Sequence, residues 1–519
     1  MNGAKALLKT LTGSGVEVCF TNPGTSEMHF VAALDEVPEM HAVLALFEGV
    51  TTGAADGYAR IAGKPASTLL HLGPGMANAL ANMHNAKKAR TPMVNVIGDH
   101  ATYHRGLDAP LTSDIETLAR PMSHWVKLAR SSRDTAPLAR EAVQQAMSNN
   151  GQIATLILPA DSAWDAADEA APLLEKPVAP IPAQSQIEAV AAAIKQAKNP
   201  ALLLRGSGLE ADGLELAGRI ADGSSARLMC DTFAPKLAQG AGRVRVERIP
   251  YFAEQIVDHL QGVDLLVLVG TQEPVAFFAY PDKPSRPVSE SCPMINLATP
   301  EEDSKTALSI LADMINPDAP VAEARRAEQG AWDAPSGDLD LVKVGQSLAR
   351  LLPEGALLAD EAATSGLFVT APLAQAAPHT HCALTGGAIG QGVPLATGMA
   401  LAAQKAGNAP TVCLQGDGGA MYTIQALWTQ MREKLHVINI IFANRAYQIL
   451  NIELMRVGAE NPGPKALSQF DLTNPEISFV KLAEGLGVPA YRPETAESFE
   501  DILRHCLATP GPHLIEVMC

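Results

Sequence analysis

An aspartate and an asparagine, 27 residues apart, end two apolar runs near the C-terminus. The first run, Thr411 to Leu414, passes into Gln415-Gly416-Asp417-Gly418-Gly419. The second, His436 to Phe442, ends at Ala443-Asn444-Arg445-Ala446. If both are strands of one sheet, Asp417 and Asn444 leave it at the same edge. A carboxylate, an amide oxygen and the backbone carbonyl of Ala446 are hard oxygen donors. They suit Mg2+, which completes its octahedron with phosphate oxygens. The glycines let backbone approach a diphosphate, and a following helix N-terminus favours its negative charge. A Gly-Asp-Gly turn that only caps a helix is the competing reading; the matched asparagine after the next run favours the metal.

A second constellation lies near the N-terminus. The apolar run Ala42 to Phe47 ends at Glu48, followed by a small-residue helical stretch, Gly49 to Arg60. A carboxylic acid there can exchange a proton with a ring nitrogen; capping of the helix is the alternative. Two loops at other strand ends, Asn22-Pro23-Gly24-Thr25-Ser26-Glu27 and His71-Leu72-Gly73-Pro74-Gly75-Met76, can bring backbone and short polar side chains against a small ligand. His71 rises above an ordinary core histidine because it shares an edge with Glu48. His100 and His104 are candidate proton carriers or solvated loop residues.

The elements that position these residues read as alternating strands and helices. Short continuous apolar runs that end in Gly, Asp or Pro indicate parallel strands buried on both faces. Two Pro-rich stretches, 171–186 and 317–340, divide the 519 residues. The expected fold class is therefore α/β, with three doubly wound parallel-sheet domains over 1–170, 185–315 and 341–519. Ligands in such sheets sit beyond the strand C-termini, where the residues above fall.

Composition removes several classes. The formal charge of −17, from 56 acidic against 39 basic residues, speaks against nucleic acid as a partner. No apolar run approaches the roughly 18 residues of a membrane span, and no signal-peptide pattern is present; the expectation is a cytoplasmic protein with no membrane partner. Seven scattered cysteines form no CxxC pair, so neither a zinc site nor a disulfide framework is indicated.

GDG followed by Asn444, with Glu48 before GAADGYAR, resembles the motif set of thiamine diphosphate enzymes of the pyruvate-decarboxylase-like superfamily. The resemblance covers the whole chain. It implies a pyrimidine-binding domain, a central domain and a diphosphate-binding domain, in that order. NPGTSE, GDGGAMYTIQALW and ANRAYQIL are most similar to benzoylformate decarboxylase, with acetolactate synthase next. The resemblance implies thiamine diphosphate and Mg2+ as cofactors, the metal being held by Asp417, Asn444 and the Ala446 carbonyl. It places Glu48 on the aminopyrimidine, the Gly387 carbonyl on the 4′-amino group and Ile389 as a wedge beneath the bent cofactor. Asn22, Pro23, Thr364, Gly418, Gly419 and Tyr447 are further cofactor contacts, and His71 and Thr25 stand near the substrate.

The implied reaction is non-oxidative decarboxylation of a small 2-oxo acid, with release of an aldehyde or carboligation to an acyloin. An acetolactate-synthase-like carboligase is the alternative; such enzymes often carry FAD in the central domain, for which Leu204-Arg205-Gly206-Ser207-Gly208 is a weak signal. A non-catalytic nucleotide- or CoA-binding protein is the reading from another class, and Glu48 argues against it. Two departures stand out. The stretch Glu273 to Tyr280 lacks the histidine that the decarboxylase supplies from its central domain, and Ala443-Asn444 replaces Asn-Asn. Leu450 and Glu453 are candidate pocket residues; Glu453 either disfavours a large apolar substrate group or lies on a solvated helix face. The implied assembly is a homodimer at minimum and a homotetramer by extension.

Overall fold

The computed structural model describes residues 1–519 except 174, 318, 408 and 460. The first sheet contains β1 (Val18–Thr21), β2 (His41–Leu44), β3 (Ala66–His71), β4 (Met93–Asp99), β5 (Trp125–Leu128) and β6 (Ile153–Pro159), in the order β2-β1-β3-β4-β6-β5. All its pairings are parallel. β4 and β6 are mostly apolar and buried along their whole length, as burial on both faces requires; β3 is as buried although it carries Ser67 and Thr68. The strand order reverses between β1 and β3, so a crevice opens beyond their C-termini. The Asn22–Glu27 loop leaves β1, and His71 ends β3.

The second sheet holds β7 (Pro200–Leu204), β8 (Arg227–Cys230), β10 (Glu247–Arg248), β11 (Leu265–Val269) and β12 (Met294–Ala298), in the order β10-β8-β7-β11-β12. The third holds β13 (Leu357–Glu361), β14 (His379–Ala383), β15 (Thr411–Gly416), β16 (Val437–Ala443), β17 (Ala490–Tyr491) and β18 (His513–Met518). Its order is β17-β18-β16-β15-β13-β14-β9, where β9 (Leu237–Gln239) comes from the middle of the chain and pairs antiparallel with β14. This edge strand carries too little apolar alternation to be seen in the sequence. Here the reversal falls between β13 and β15, which puts Thr364 and Asp417 at the crevice.

The first and third sheets are joined by two helices, Glu48–Ala62 and Gly392–Ala406, whose facing residues share one core with both sheets. Small residues bring the two backbones close. A Cβ on Gly57 would lie 2.0 Å from the Leu395 carbonyl oxygen, and one on Gly398 1.8 Å from that of Ala54. The helix that begins with Glu48 is thus docked on the helix that follows the Gly387–Ile389 loop. Among the described residues, no helix is long and apolar enough to cross a membrane.

Candidate active site

Glu48 is the first residue of its helix, and Phe47 is the N-cap. The Glu48 side chain does not cap the helix, which removes the alternative reading. Its backbone carbonyl instead accepts from the Thr51 and Thr52 hydroxyls. The side chain is 8% exposed. Its Oε2 accepts from Asn78 Nδ2 at 2.9 Å. Oε1 lies 3.0 Å from the position of a Cβ on Gly75, a point that is also 3.4 Å from His71 Cβ. Glu48 and the base of the His71 side chain therefore lie on either side of Gly75, while the imidazole ring itself turns toward Gly24.

His71 is steered by a residue the motif reading did not single out. Glu27 is 2% exposed, and its Oε2 lies 2.9 Å from His71 Nδ1. The carboxylate is itself fixed by the Gly24 N–H at 2.6 Å and the Ser26 hydroxyl at 2.8 Å. A carboxylate acceptor puts the proton on Nδ1 and leaves Nε2 for chemistry. Gly98, at the end of β4, makes room for this pair: a Cβ there would sit 1.7 Å from Glu27 Oε1. The signal lay in NPGTSE, but only the fold reveals that its glutamate reaches β3. Leu72, next in sequence, is left-handed at φ +47°, a strained turn of the kind that clusters at functional sites.

Asn22 is anchored by its own amide, which donates to the Ala45 carbonyl, and Pro23 follows it into the loop. Thr25 is exposed and lines a cavity of about 270 Å³ with Ser26, Leu72, His100, Tyr103, His104 and Trp164. The His100 and His104 rings meet in a tilted arrangement with centroids 5.3 Å apart, and His100 Nε2 is buried without a hydrogen-bond partner among the described residues. Both are half-buried and line this cavity, in a loop whose Thr102 and Tyr103 are exposed. Asp99, beneath them, pairs with Arg105; burial pushes its carboxyl up.

On the third sheet, Asp417 follows β15 and is 4% exposed. Its oxygens accept from the backbone N–H of Gly418 at 2.8 Å and of Arg445 at 2.6 Å. No cationic side chain pairs with it among the described residues, and burial pushes its carboxyl up. A buried carboxylate without a cation is costly, and a divalent ion is what such a site lacks. Asn444 follows β16, and its Oδ1 accepts from Ala446 N–H at 3.0 Å. The Ala446 carbonyl accepts no hydrogen bond from a described residue. One carboxylate, one amide oxygen and one free carbonyl fit Mg2+ that takes its remaining ligands from phosphate and water. Among the described residues no group of three or more His, Cys, Asp or Glu could hold a metal. Tyr447 packs on Gly418, and Gly419 abuts Glu361. Thr364 is half-buried in the helix Ala363–Val369 after β13.

The Gly387–Ile389 loop lies between the two clusters. Gly387 has φ +77°, Ile389 is half-buried, and the Gly387 carbonyl accepts from no described residue. That free acceptor fits a ligand amino group. Phe277, from the stretch where a histidine is missing, stands over this loop, with its Cζ 2.7 Å from where a Cβ on Gly387 would be. The central segment therefore contributes an aromatic ring in place of an imidazole. Leu450 is exposed on the helix Gln448–Arg456. Glu453 turns away from solvent and accepts from the Tyr280 hydroxyl at 2.6 Å. At the crest of the second sheet, Arg205 pairs with Asp231, which also accepts from Thr271. No hydrogen bond or ion pair among the described residues joins Glu48 to Asp417 within one chain.

Comparison with known proteins matches these halves separately. Residues 1–121 fit the thiamine pyrophosphate enzyme N-terminal TPP binding domain, and residues 367–517 the C-terminal TPP binding domain. IlvX of Mycobacterium tuberculosis, named provisionally as an acetolactate synthase large subunit, is 50% identical over the whole of this chain and 99% of its own length. Benzoylformate decarboxylase of Pseudomonas aeruginosa is 26% identical over 99% of this chain and 98% of its own. The structure of a thiamine diphosphate-dependent 4-hydroxybenzoylformate decarboxylase from Rhodococcus jostii superposes with a TM-score of 0.85 at 23% identity, covering 100% of this chain and 99% of that one. Sequence motifs, three-sheet fold and full-length relatives agree: this chain belongs to the thiamine diphosphate-dependent enzymes of the decarboxylase and acetolactate synthase family.

Proposed function

We propose that this enzyme uses thiamine diphosphate and Mg2+ to decarboxylate a small 2-oxo acid without oxidation, releasing an aldehyde or joining the acyl fragment left after decarboxylation to a second carbonyl as an acyloin. When bound, thiamine diphosphate supplies the electron sink that lets carbon dioxide leave. Asp417, Asn444 and the Ala446 carbonyl would hold Mg2+, with Gly418, Gly419, Thr364 and Tyr447 around the diphosphate. Glu48 would hold a proton at the pyrimidine ring nitrogen, and the Gly387 carbonyl would accept from the amino group. Ile389 would keep the two rings bent toward each other, and Asn22 and Pro23 would line the pyrimidine side. Thr25 would face the substrate carboxylate.

The observation that carries this reading is the Glu27–His71 pair beside Glu48. It supplies an oriented imidazole at the same edge as the acid, suited to moving one proton to or from substrate. Phe277 favours the second reading, an acetolactate-synthase-like carboligase. An aromatic ring in place of a proton donor leaves one fewer way to end the reaction by protonation, and the identity with IlvX points the same way. A homodimer, with each cofactor between the first sheet of one chain and the third of its partner, would unite Glu48 with Asp417. The test is calorimetric titration with thiamine diphosphate and Mg2+, then a panel of 2-oxo acids assayed for carbon dioxide with and without aldehyde acceptors. Free aldehyde as the product supports the decarboxylase; an acyloin or a 2-hydroxy-3-oxo acid, whether the acceptor is an added aldehyde or a second 2-oxo acid, moves the assignment to the carboligase. No release under either condition removes both.

A further inference from the structure

The cavity of about 270 Å³ beside Thr25 lies beyond the C-terminal ends of four strands of the first sheet. Thr25 and Ser26 follow β1, Leu72 follows β3, His100 and His104 follow β4, and Ala160 and Trp164 follow β6. Its wall adjoins His71, whose Nδ1 is 3.4 Å from Ser26 Oγ. Every lining residue comes from the part of the chain that holds Glu48 and His71. All of them would therefore face one and the same cofactor in the proposed homodimer.

Two properties of the wall limit what it can take. Among the described residues that line it, none is Asp, Glu, Lys or Arg. The carboxylates of the surrounding loops are already engaged: Glu27 by the Gly24 N–H, Ser26 and His71, Asp161 by Thr102 and the Ser162 N–H, and Asp99 by the His100 N–H and Arg105. A charged group in the cavity would find no counter-ion, and an unpaired charge away from water is costly. Yet the wall is not apolar. The side chains of Thr25, His100, Tyr103, His104 and Trp164 make no hydrogen bond to a described residue, and His100 Nε2 is buried in that state. An apolar occupant would seal more of these groups from water unpaired, which costs free energy for each. Hydroxyls and imidazoles can both donate and accept, and so can an alcohol. A neutral hydroxyl-bearing group satisfies both limits.

We infer that this cavity receives the side chain of the 2-oxo acid, and that His100 and His104 are specificity-determining residues which select a hydroxylated side chain over an apolar or an anionic one. The inference rests on the proposed decarboxylation beside Glu48 and His71 and adds the class of substrate, a hydroxylated 2-oxo acid. At about 270 Å³ the cavity is smaller than those that enclose drug-sized ligands, which fits a short chain.

The test uses the full-length enzyme with thiamine diphosphate and Mg2+ and three acids of equal carbon number: 2-oxopentanoate, 4-hydroxy-2-oxopentanoate and 2-oxopentanedioate. kcat/KM for the hydroxy acid should exceed that for either other acid at least about tenfold, a modest margin for a site that hydrogen-bonds a substrate hydroxyl. In His100→Leu the preference over 2-oxopentanoate should shrink to about threefold or less, mainly through a higher KM for the hydroxy acid. The same variant should melt no lower than wild type, because the imidazole has no partner in the fold to lose; a histidine with a structural role would show the opposite. His104→Leu carries the test if His100→Leu does not fold. Calorimetric titration with pentanoate, 4-hydroxypentanoate and pentanedioate reads the same preference without turnover, and the hydroxy acid should bind most tightly. Preference of the wild type for the apolar or the anionic acid, or a preference for the hydroxy acid that neither variant moves, would overturn the inference. Turnover of no 2-oxo acid would instead remove the reading beneath it, and calorimetry alone would then decide what the cavity selects.

Discussion

At the scale of single residues, charge and hydrogen-bond direction make the sharpest demands. Glu48→Gln keeps the shape and the bond from Asn78 but removes the exchangeable proton. Turnover should drop by about 10²–10⁴ while calorimetry still reports cofactor binding; unchanged turnover would clear Glu48 of its role. Asp417→Asn removes the one buried carboxylate of the proposed metal site. In the metal-free protein the melting temperature should not fall, because the lost charge has no cationic partner, and the rise in melting temperature on adding Mg2+ with thiamine diphosphate should disappear. Glu27→Gln frees His71 from its anionic anchor. The expected result is a lower kcat at little altered cofactor affinity, read by steady-state kinetics beside calorimetry.

At the scale of elements, the strand ends and one helix decide. Leu72, Ala363 and Arg445 all have left-handed backbones, and each lies next to a candidate residue: His71, Thr364 and Asn444. None is glycine, so composition alone could not mark these turns. Gly98 shows the opposite case, since its missing side chain is the space Glu27 occupies. Gly98→Ala should destabilise by about 1–3 kcal/mol or displace the Glu27–His71 pair, seen as lower melting temperature or lost turnover. The helix Gln448–Arg456 is pinned to the central segment. Arg456 forms a two-point ion pair with Glu254 at 2.7 and 2.9 Å and lies over the rings of Phe252 and Tyr280, 4.1 and 4.5 Å from their centroids. The bond from Arg456 holds the Glu254 carboxyl down at about 2. A lowered carboxyl stabilises above its ordinary value of 4.5 and loses that contribution as pH falls toward about 2. Protection of residues 448–456 from hydrogen exchange should therefore weaken across that window in wild type, and be weak at every pH in Arg456→Ala.

At the scale of the whole molecule, the question is which chain completes which site. Glu48 and Asp417 share no bond within one chain, whereas the proposed homodimer brings them to one cofactor. Mixing Glu48→Gln chains with Asp417→Ala chains, each inactive alone, decides this. In a mixed dimer one site carries both changes and the other carries neither. Random exchange of subunits should restore about a quarter of wild-type activity; no recovery after verified exchange would place each site inside a single chain.

The sequence by itself determined the family and most of the sheets. Apolar runs buried on both faces leave a local signature, and GDG with Asn444, like Glu48 before its small-residue helix, is a short pattern of residue type and spacing. The contacts that orient those groups leave none. Glu27 meets His71 across 44 residues, Phe277 meets Gly387 across more than a hundred, and Asn85 meets Ala388 across 303. β9 joins a sheet whose other strands all lie later in the chain. Such pairings depend on where the backbone returns in space, and periodicity along the chain carries no record of that; only tertiary structure settles them.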